Sequence, residues 1–250
     1  ILQSMTQLRP KPGKLAASDR DHVNIFNFVV SQGAVIDAAR YERALHSLGV
    51  SHAELQRLRM QLADVGGTRR AVLEVAGGAA SLMLRPLPPA ASEITVLAEP
   101  VTDERTHPNH LGPDLGWQRT TLAQIPADDG LLAHASGRVL SGIMHPLLVV
   151  EPGRITISSH PHSPHTVALD GIVDLLRTYD VEVVNTADGF DLAALTRNEV
   201  WIIDPVYGAR LVEAWLEYGT RRPARRDVNR GGVPSHREIN EARRARAVTV

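Results

Sequence analysis

Asp128-Asp129-Gly130-Leu131-Leu132-Ala133-His134-Ala135-Ser136-Gly137-Arg138-Val139-Leu140 is the stretch on which the fold turns. An acidic pair opens it, an apolar run follows, Ser136-Gly137 supplies a turn, and a second apolar run closes it. The pattern predicts strands over 130–134 and 138–141. Leu147-Leu148-Val149-Val150 and Pro152-Gly153-Arg154-Ile155-Thr156-Ile157 repeat the plan, predicting strands over 147–151 and 154–158 about a Pro-Gly turn. Over 169–179, Ile172, Val173, Leu175 and Leu176 recur at helical spacing. A strand over 181–184, a short helix over 192–195, a strand over 200–203, a turn through Asp204-Pro205-Val206-Tyr207-Gly208 and a closing strand complete this half.

The N-terminal half reads as a smaller unit. A strand is predicted over 23–30 and helices over 36–48 and 52–63, the second capped by Ser51. Strands over 70–75 and 80–87 flank Gly77-Gly78. Pro86-Leu87-Pro88-Pro89 breaks the chain, and 93–99 reads as another strand. Residues 100–117 form a loop-like connector rich in Pro, Gly and His, and a short helix starts over 120–124. The expected organisation is α+β with two domains. A tag remnant (Ile1 to Ser4, ahead of Met5) and flexible N-terminus fill 1–21. A small α+β domain spans 22–105, a connector 106–117, a large pseudo-barrel domain 118–220 and a basic tail 221–250.

Composition narrows the function classes. With 43% hydrophobic and 22% charged residues, the 250-residue chain reads as a globular protein with an ample core. It has no cysteine, which excludes disulfides, thiol catalysis and cysteine metal sites. No apolar run approaches the roughly 18 residues of a membrane span, and no signal peptide is visible, so the expected location is cytoplasmic. The net charge of −1 is unevenly spread. Residues 221–250 carry nine arginines against Asp227, Glu238 and Glu241, a surplus of six positive charges, which leaves seven negative charges on the rest. No aromatic residue is interleaved with these arginines for base stacking, so nucleic acid is not the expected partner. The expectation is a solvated tail, or one that pairs with the acidic body of its own dimer.

Taken in order, the landmarks from Thr106 to Val212 resemble the large domain of class IV aminotransferases and aminodeoxychorismate lyases. These are the fold type IV enzymes that use pyridoxal phosphate. Asp37-Ala38-Ala39-Arg40-Tyr41 is similar to that family's His-x-x-Arg-Leu/Tyr motif, with Asp37 in the histidine's place. The resemblance implies a fold type IV, two-domain subunit that pairs as a homodimer, with its pocket between the domains.

The same resemblance implies that the cofactor residues are gone. Where the family has a Schiff-base lysine followed by Gly-x-x-x-Leu, this chain has Leu111 within His107-Pro108-Asn109-His110-Leu111-Gly112-Pro113-Asp114-Leu115-Gly116-Trp117. A leucine has no amine to form an imine. Ser141 stands for the glutamate that faces the pyridine nitrogen, and Pro146 for an asparagine. Thr166-Val167-Ala168-Leu169 stands for the phosphate-binding Gly-Ile/Val-Thr-Arg, and Ile203-Asp204-Pro205 for Thr-Asn-Ser. Only Arg40 remains of the phosphate set. The chain's two lysines, Lys11 and Lys14, lie in the Pro-rich N-terminal stretch. The implied cofactor is none.

Histidine is the side chain best suited to proton transfer near neutral pH. Seven of eleven histidines fall between His107 and His165. His110 adjoins the lost lysine and His145 the lost asparagine. His160 and His162 would point the same way on an extended chain, or would lie in an exposed, Pro-broken loop. These four are the candidate catalytic residues. A metal is not expected, since no Asp or Glu sits within the cluster. Arg40, Arg138, Arg154 and Arg210 are candidates to hold a substrate carboxylate, and Tyr207 lies in the closing turn. The leading reading is a cofactor-independent lyase, isomerase or hydrolase acting on a small carboxylate-bearing metabolite. The alternatives are a non-catalytic homologue that binds a metabolite or partner enzyme, and a pyridoxal-phosphate enzyme whose lysine lies elsewhere.

Overall fold

A computed structural model describes residues 22–226 and 229–250. The expected N-terminal remnant, Lys11, Lys14 and Asp227 lie outside the described residues.

The chain builds two sheets. The first half supplies strands β1 (Asn24–Ser31) and β2 (Ala34–Val35), helices α1 (Ala38–Ser47) and α2 (His52–Ala63), and strands β3 (Thr68–Ala76) and β4 (Ala79–Arg85). It continues with β5 (Glu93–Thr102), α3 (Leu115–Ala123), β6 (Asp129–Ala133), β7 (Val139–Gly142), β8 (Leu147–Glu151) and β9 (Arg154–Ser158). Next come α4 (Val167–Arg177), β10 (Glu182–Thr186), α5 (Leu192–Arg197), β11 (Glu199–Asp204) and β12 (Gly208–Glu217). The last elements are β13 (Thr220–Pro223), α6 (His236–Arg244) and β14 (Val248–Thr249).

The smaller sheet has the order β14-β2-β1-β3-β4. Alternation along β1 and β3 puts Phe28, Val30, Leu73 and Val75 on one face, where Tyr41 and Leu45 of α1 and Leu58 and Leu62 of α2 cover them. Ser51 caps α2 as expected, its hydroxyl accepting from Glu54 N at 3.2 Å. The larger sheet runs β10-β9-β8-β11-β12-β5-β6-β7, with β13 paired to β12. It curls until its ends meet: Val139 of β7 and Phe190, just beyond β10, exchange two backbone hydrogen bonds.

That curl explains why β8 and β11 carry unbroken apolar runs, Leu147 to Val150 and Val200 to Ile203. Leu148, Val150, Trp201 and Ile203 pack outward against α4 and α6, while Leu147, Val149, Val200 and Ile202 fill the interior with Ile94, Val96, Leu131 and Trp215. A strand buried on both faces has no use for polar alternation. Fully burying one such side chain contributes about 1.5–3 kcal/mol.

Three boundaries differ from expectation. β5 belongs to the large sheet, pairing in parallel with both β12 and β6, so the division between sheets falls between β4 and β5 rather than at 105. Parallel partners more than 30 residues away leave no local signal. α3 starts at Leu115, inside the expected connector, directly after Asp114. The stretch 221–250 is not a solvated tail. Ile239 of α6 is fully buried, Asn240 bonds the backbone of Ala209 through both side-chain atoms, and β14 completes the smaller sheet. Six of its nine arginines pair with acids of the same chain: Arg221 with Glu213, Arg222 with Glu217, Arg226 and Arg237 with Glu93, Arg230 with Glu199, and Arg243 with Asp37. No helix among the described residues is long and apolar enough to cross a membrane.

Candidate functional site

A cleft of about 680 Å³ opens between the sheets. One wall is the start of β1 (Asn24 to Asn27) with Tyr41 and Leu48. The other is the loop Asn109-His110-Leu111, the N-terminal turn of α4 and Pro205. A pocket of this size takes a small metabolite.

Local bonds place the loop. Asp114 accepts from Thr106 N, Thr106 Oγ1 and His107 N, which folds 106–114 back on itself. Ile25 N donates to the Leu111 carbonyl at 2.7 Å. Gly112 sits at φ +144°, and a Cβ there would lie 1.9 Å from the Val23 carbonyl oxygen, so only glycine lets the loop approach β1 this closely. His110 Nδ1 donates to Asn24 Oδ1 at 3.0 Å. That bond fixes the orientation of the ring. At the α4 N-terminus the Thr166 hydroxyl accepts from Leu169 N at 3.1 Å, and Asp170 lies in the first turn. Burial raises the Asp170 carboxyl above its ordinary range, and His165 and Arg40 offset part of this.

The described residues do not fit pyridoxal phosphate. Leu111 does line the cleft, at the position the resemblance assigns to the lysine, and presents an isobutyl group. No lysine is present among the described residues. The helix end that would cradle a phosphate is capped by Thr166 and carries Asp170, whose charge repels an anion. Arg40 is committed to a hydrogen-bonded ion pair with Asp174 of α4. Ser141 is fully buried and donates to the Gly142 carbonyl, Pro146 is buried just before β8 with its carbonyl accepting from Ile203 N, and Leu169 is core.

The other expected site residues do not gather around the cleft. His145 is held between two carboxylates, Asp129 Oδ2 at 3.7 Å from Nδ1 and Asp204 Oδ2 at 3.8 Å from Nε2. Burial depresses this imidazole, but Asp204 and Asp129 outweigh burial and the opposing Arg210, and its pKa is raised. His160 and His162 sit in a turn, not an extended strand, because Ser163 N bonds the His160 carbonyl and His162 N bonds His160 Nδ1. Their rings cluster with His134 at centroid separations of 5.0–5.6 Å. Burial and the two neighbouring imidazoles lower the His160 pKa. Among the described residues no group of three or more His, Asp or Glu side chains could hold a metal ion.

The arginines serve the fold. Arg138 donates to the Gly189 carbonyl, Arg154 pairs with Glu151, and Arg210 donates to the Ala91 carbonyl. Tyr207 donates to the Pro88 carbonyl at 2.6 Å. None of the five candidate anchors lines the cleft, because each guanidinium or hydroxyl already satisfies a carbonyl or carboxylate of the fold.

Sequence reasoning missed Asn24, His165 and Asp170 as cleft residues. The α4 N-cap signal Thr166-x-x-Leu169 would have located Asp170 in the first helical turn. The Asn24 contact joins residues 86 positions apart and has no local signature. It also missed Asp37, whose carboxylate receives Arg243 of α6 at 3.2 Å and faces Gly171 of α4, tying the sheets together behind the cleft.

No family model matches the sequence, and no curated protein does. Solved structures do match. The chain is similar to a hypothetical aminotransferase from Mycobacterium tuberculosis, with a TM-score of 0.68 and 15% identity over 96% of this chain and 94% of that one. It is similar to 4-amino-4-deoxychorismate lyase from Pseudomonas aeruginosa, with a TM-score of 0.64 and 17% identity over 90% of each chain. A fold IV transaminase from Curtobacterium pusillum matches with a TM-score of 0.61 and 13% identity, over 98% of this chain and 92% of that one. The chain has the fold of the class IV aminotransferases and aminodeoxychorismate lyases.

Proposed function

We propose that this protein is a pyridoxal-phosphate-independent relative of the class IV aminotransferases and lyases that binds a small metabolite in the intersheet cleft. In this reading the cleft performs proton transfer, with His110 as the base. The observation that supports it is that Leu111, which by the resemblance stands in the lysine's place, lines the cleft beside His110, whose ring is bonded to Asn24. A base of this kind supports a lyase, isomerase or hydrolase step.

A non-catalytic binding protein is the second reading. It is favoured by the position of His145, which ion-pairs within the fold instead of lining the cleft.

The test is direct. The purified protein is incubated with pyridoxal phosphate, reduced with borohydride and weighed as an intact chain. No stoichiometric adduct is expected, and one pyridoxyl phosphate per chain, mapped to either lysine, overturns the reading. Against a metabolite panel, His110→Gln distinguishes the two functions. An enzyme loses turnover and keeps binding, whereas a binding protein shows no turnover to lose.

A further inference from the structure

We propose that the cleft recognises its ligand through a cationic nitrogen, with the Asp170 carboxylate as counter-ion. The proposal rests on the reading of the cleft as a small-molecule site and names the class of molecule.

Charge in the cleft is one-sided. Asp170 is the only Asp or Glu among the lining residues, no arginine or lysine lines the cleft, and the basic groups that do are the imidazoles of His110 and His165, the latter acting on Asp170. The two arginines nearest in charge to Asp170, Arg40 and Arg177, are both bonded to Asp174 instead: Arg177 Nη1 lies 2.7 Å from Asp174 Oδ1, and Arg40 takes Oδ2. Asp170 itself has no ion-pair partner among the described residues. Desolvation works against its ionised form, while its place in the first turn of α4, where the helix dipole favours a negative charge, and the neighbouring His165 and Arg40 work for it.

An anionic ligand would meet that carboxylate and find no guanidinium. The Thr166 hydroxyl has already taken the Leu169 amide that would otherwise greet it. A cationic ligand completes the charge pair. The remaining walls, Ile25, Phe26, Leu48, Leu111 and Val167, are apolar and suit a hydrocarbon or aromatic body attached to that nitrogen. A charge-assisted hydrogen bond from an ammonium to the Asp170 carboxylate, which is exposed at the cleft wall, is the strongest contact the lining offers.

The experiment compares two probes with the same body and opposite charge, phenethylamine and 3-phenylpropionate, by titration calorimetry at pH 7. The expected result is binding of the amine and none of the carboxylate. Asp170→Asn should weaken the amine about tenfold or more, and Asp170→Glu should retain the preference for it. Melting curves of both variants check that they fold. Tighter binding of the carboxylate overturns the counter-ion assignment and leaves the cleft as a small-molecule site. Amine binding unchanged in Asp170→Asn also overturns it, as does failure of the amine to bind at millimolar concentration. A pyridoxyl adduct in the borohydride experiment is a separate result and strikes the cofactor-independent reading instead.

Discussion

Asp37→Asn is the perturbation that best tests how the two sheets are held together. Asp37 sits at φ 59°, ψ 26°, a left-handed conformation that Asp and Asn tolerate better than most residues. Asparagine therefore removes the charge without disturbing the backbone. The carboxylate receives Arg243 at 3.2 Å and lies 3.7 Å from Arg40. The Arg243 side chain is 6% exposed and that of Asp37 15%, so the pair is largely shielded from water. Removing one partner of a fully buried pair costs about 3–5 kcal/mol, because the remaining charge is left uncompensated. Discounting for the partial exposure of Asp37 gives about 2–3 kcal/mol. For a chain of this size each kcal/mol lowers Tm by about 2–4 °C, so the expected drop is about 4–12 °C. Asp37→Ala should cost about 1 kcal/mol more, since alanine resists positive φ. The double variant Asp37→Asn/Arg243→Met should regain much of the loss, because no buried charge then lacks a partner. Thermal unfolding measured by circular dichroism reads all three. An unchanged Tm in Asp37→Asn, or strict additivity in the double variant, refutes the argument.

Gly171→Ala should destabilise even though alanine is the better helix former by about 1 kcal/mol. A Cβ there would stand 2.5 Å from an Asp37 carboxylate oxygen that the ion pairs hold in place, and a rise in Tm would contradict this. His145 has a raised pKa in the fold, so its contribution is present in full below the ordinary histidine value of about 6.5 and is lost as pH rises through the folded value. His145→Gln should therefore lose most stability near pH 6 and less at pH 9, and a deficit that does not vary with pH counts against the two-carboxylate clamp. His236 has the opposite sign: burial first, then Arg237 and Arg230, lower its pKa against Glu93 and Glu199, and both ring nitrogens are buried without a hydrogen-bond partner among the described residues. Its fold contribution is lost as pH falls below about 6.5, so His236→Phe should flatten the acid limb of the Tm–pH curve, and an unaltered limb would be inconsistent with that assignment. Leu111→Lys restores an amine but neither a pyridine partner nor a phosphate cradle; tight, stoichiometric aldimine absorbance in this variant would show that the rest of the cleft is not limiting.

What the sequence determined by itself was local. The bounds of α2 and its Ser51 cap, the strand pair about Gly77-Gly78, and β8 and β9 about Pro152-Gly153 all follow from caps, turns and apolar periodicity within a dozen residues. The order of those landmarks also carried the fold type. Tertiary structure alone decided what depends on distant partners. β5 joined the large sheet because β12 and β6 offer parallel edges. The C-terminal arginines became structural because Glu93, Glu199, Glu213, Glu217 and Asp37 wait for them elsewhere in the chain. His145 left the list of cleft residues because Asp129 and Asp204, 75 positions apart, close on it from two strands. A charge finds its partner through space. Its sequence neighbours record only that it is charged, and so the fold could be read from the chain while the chemistry of the cleft had to await the packing.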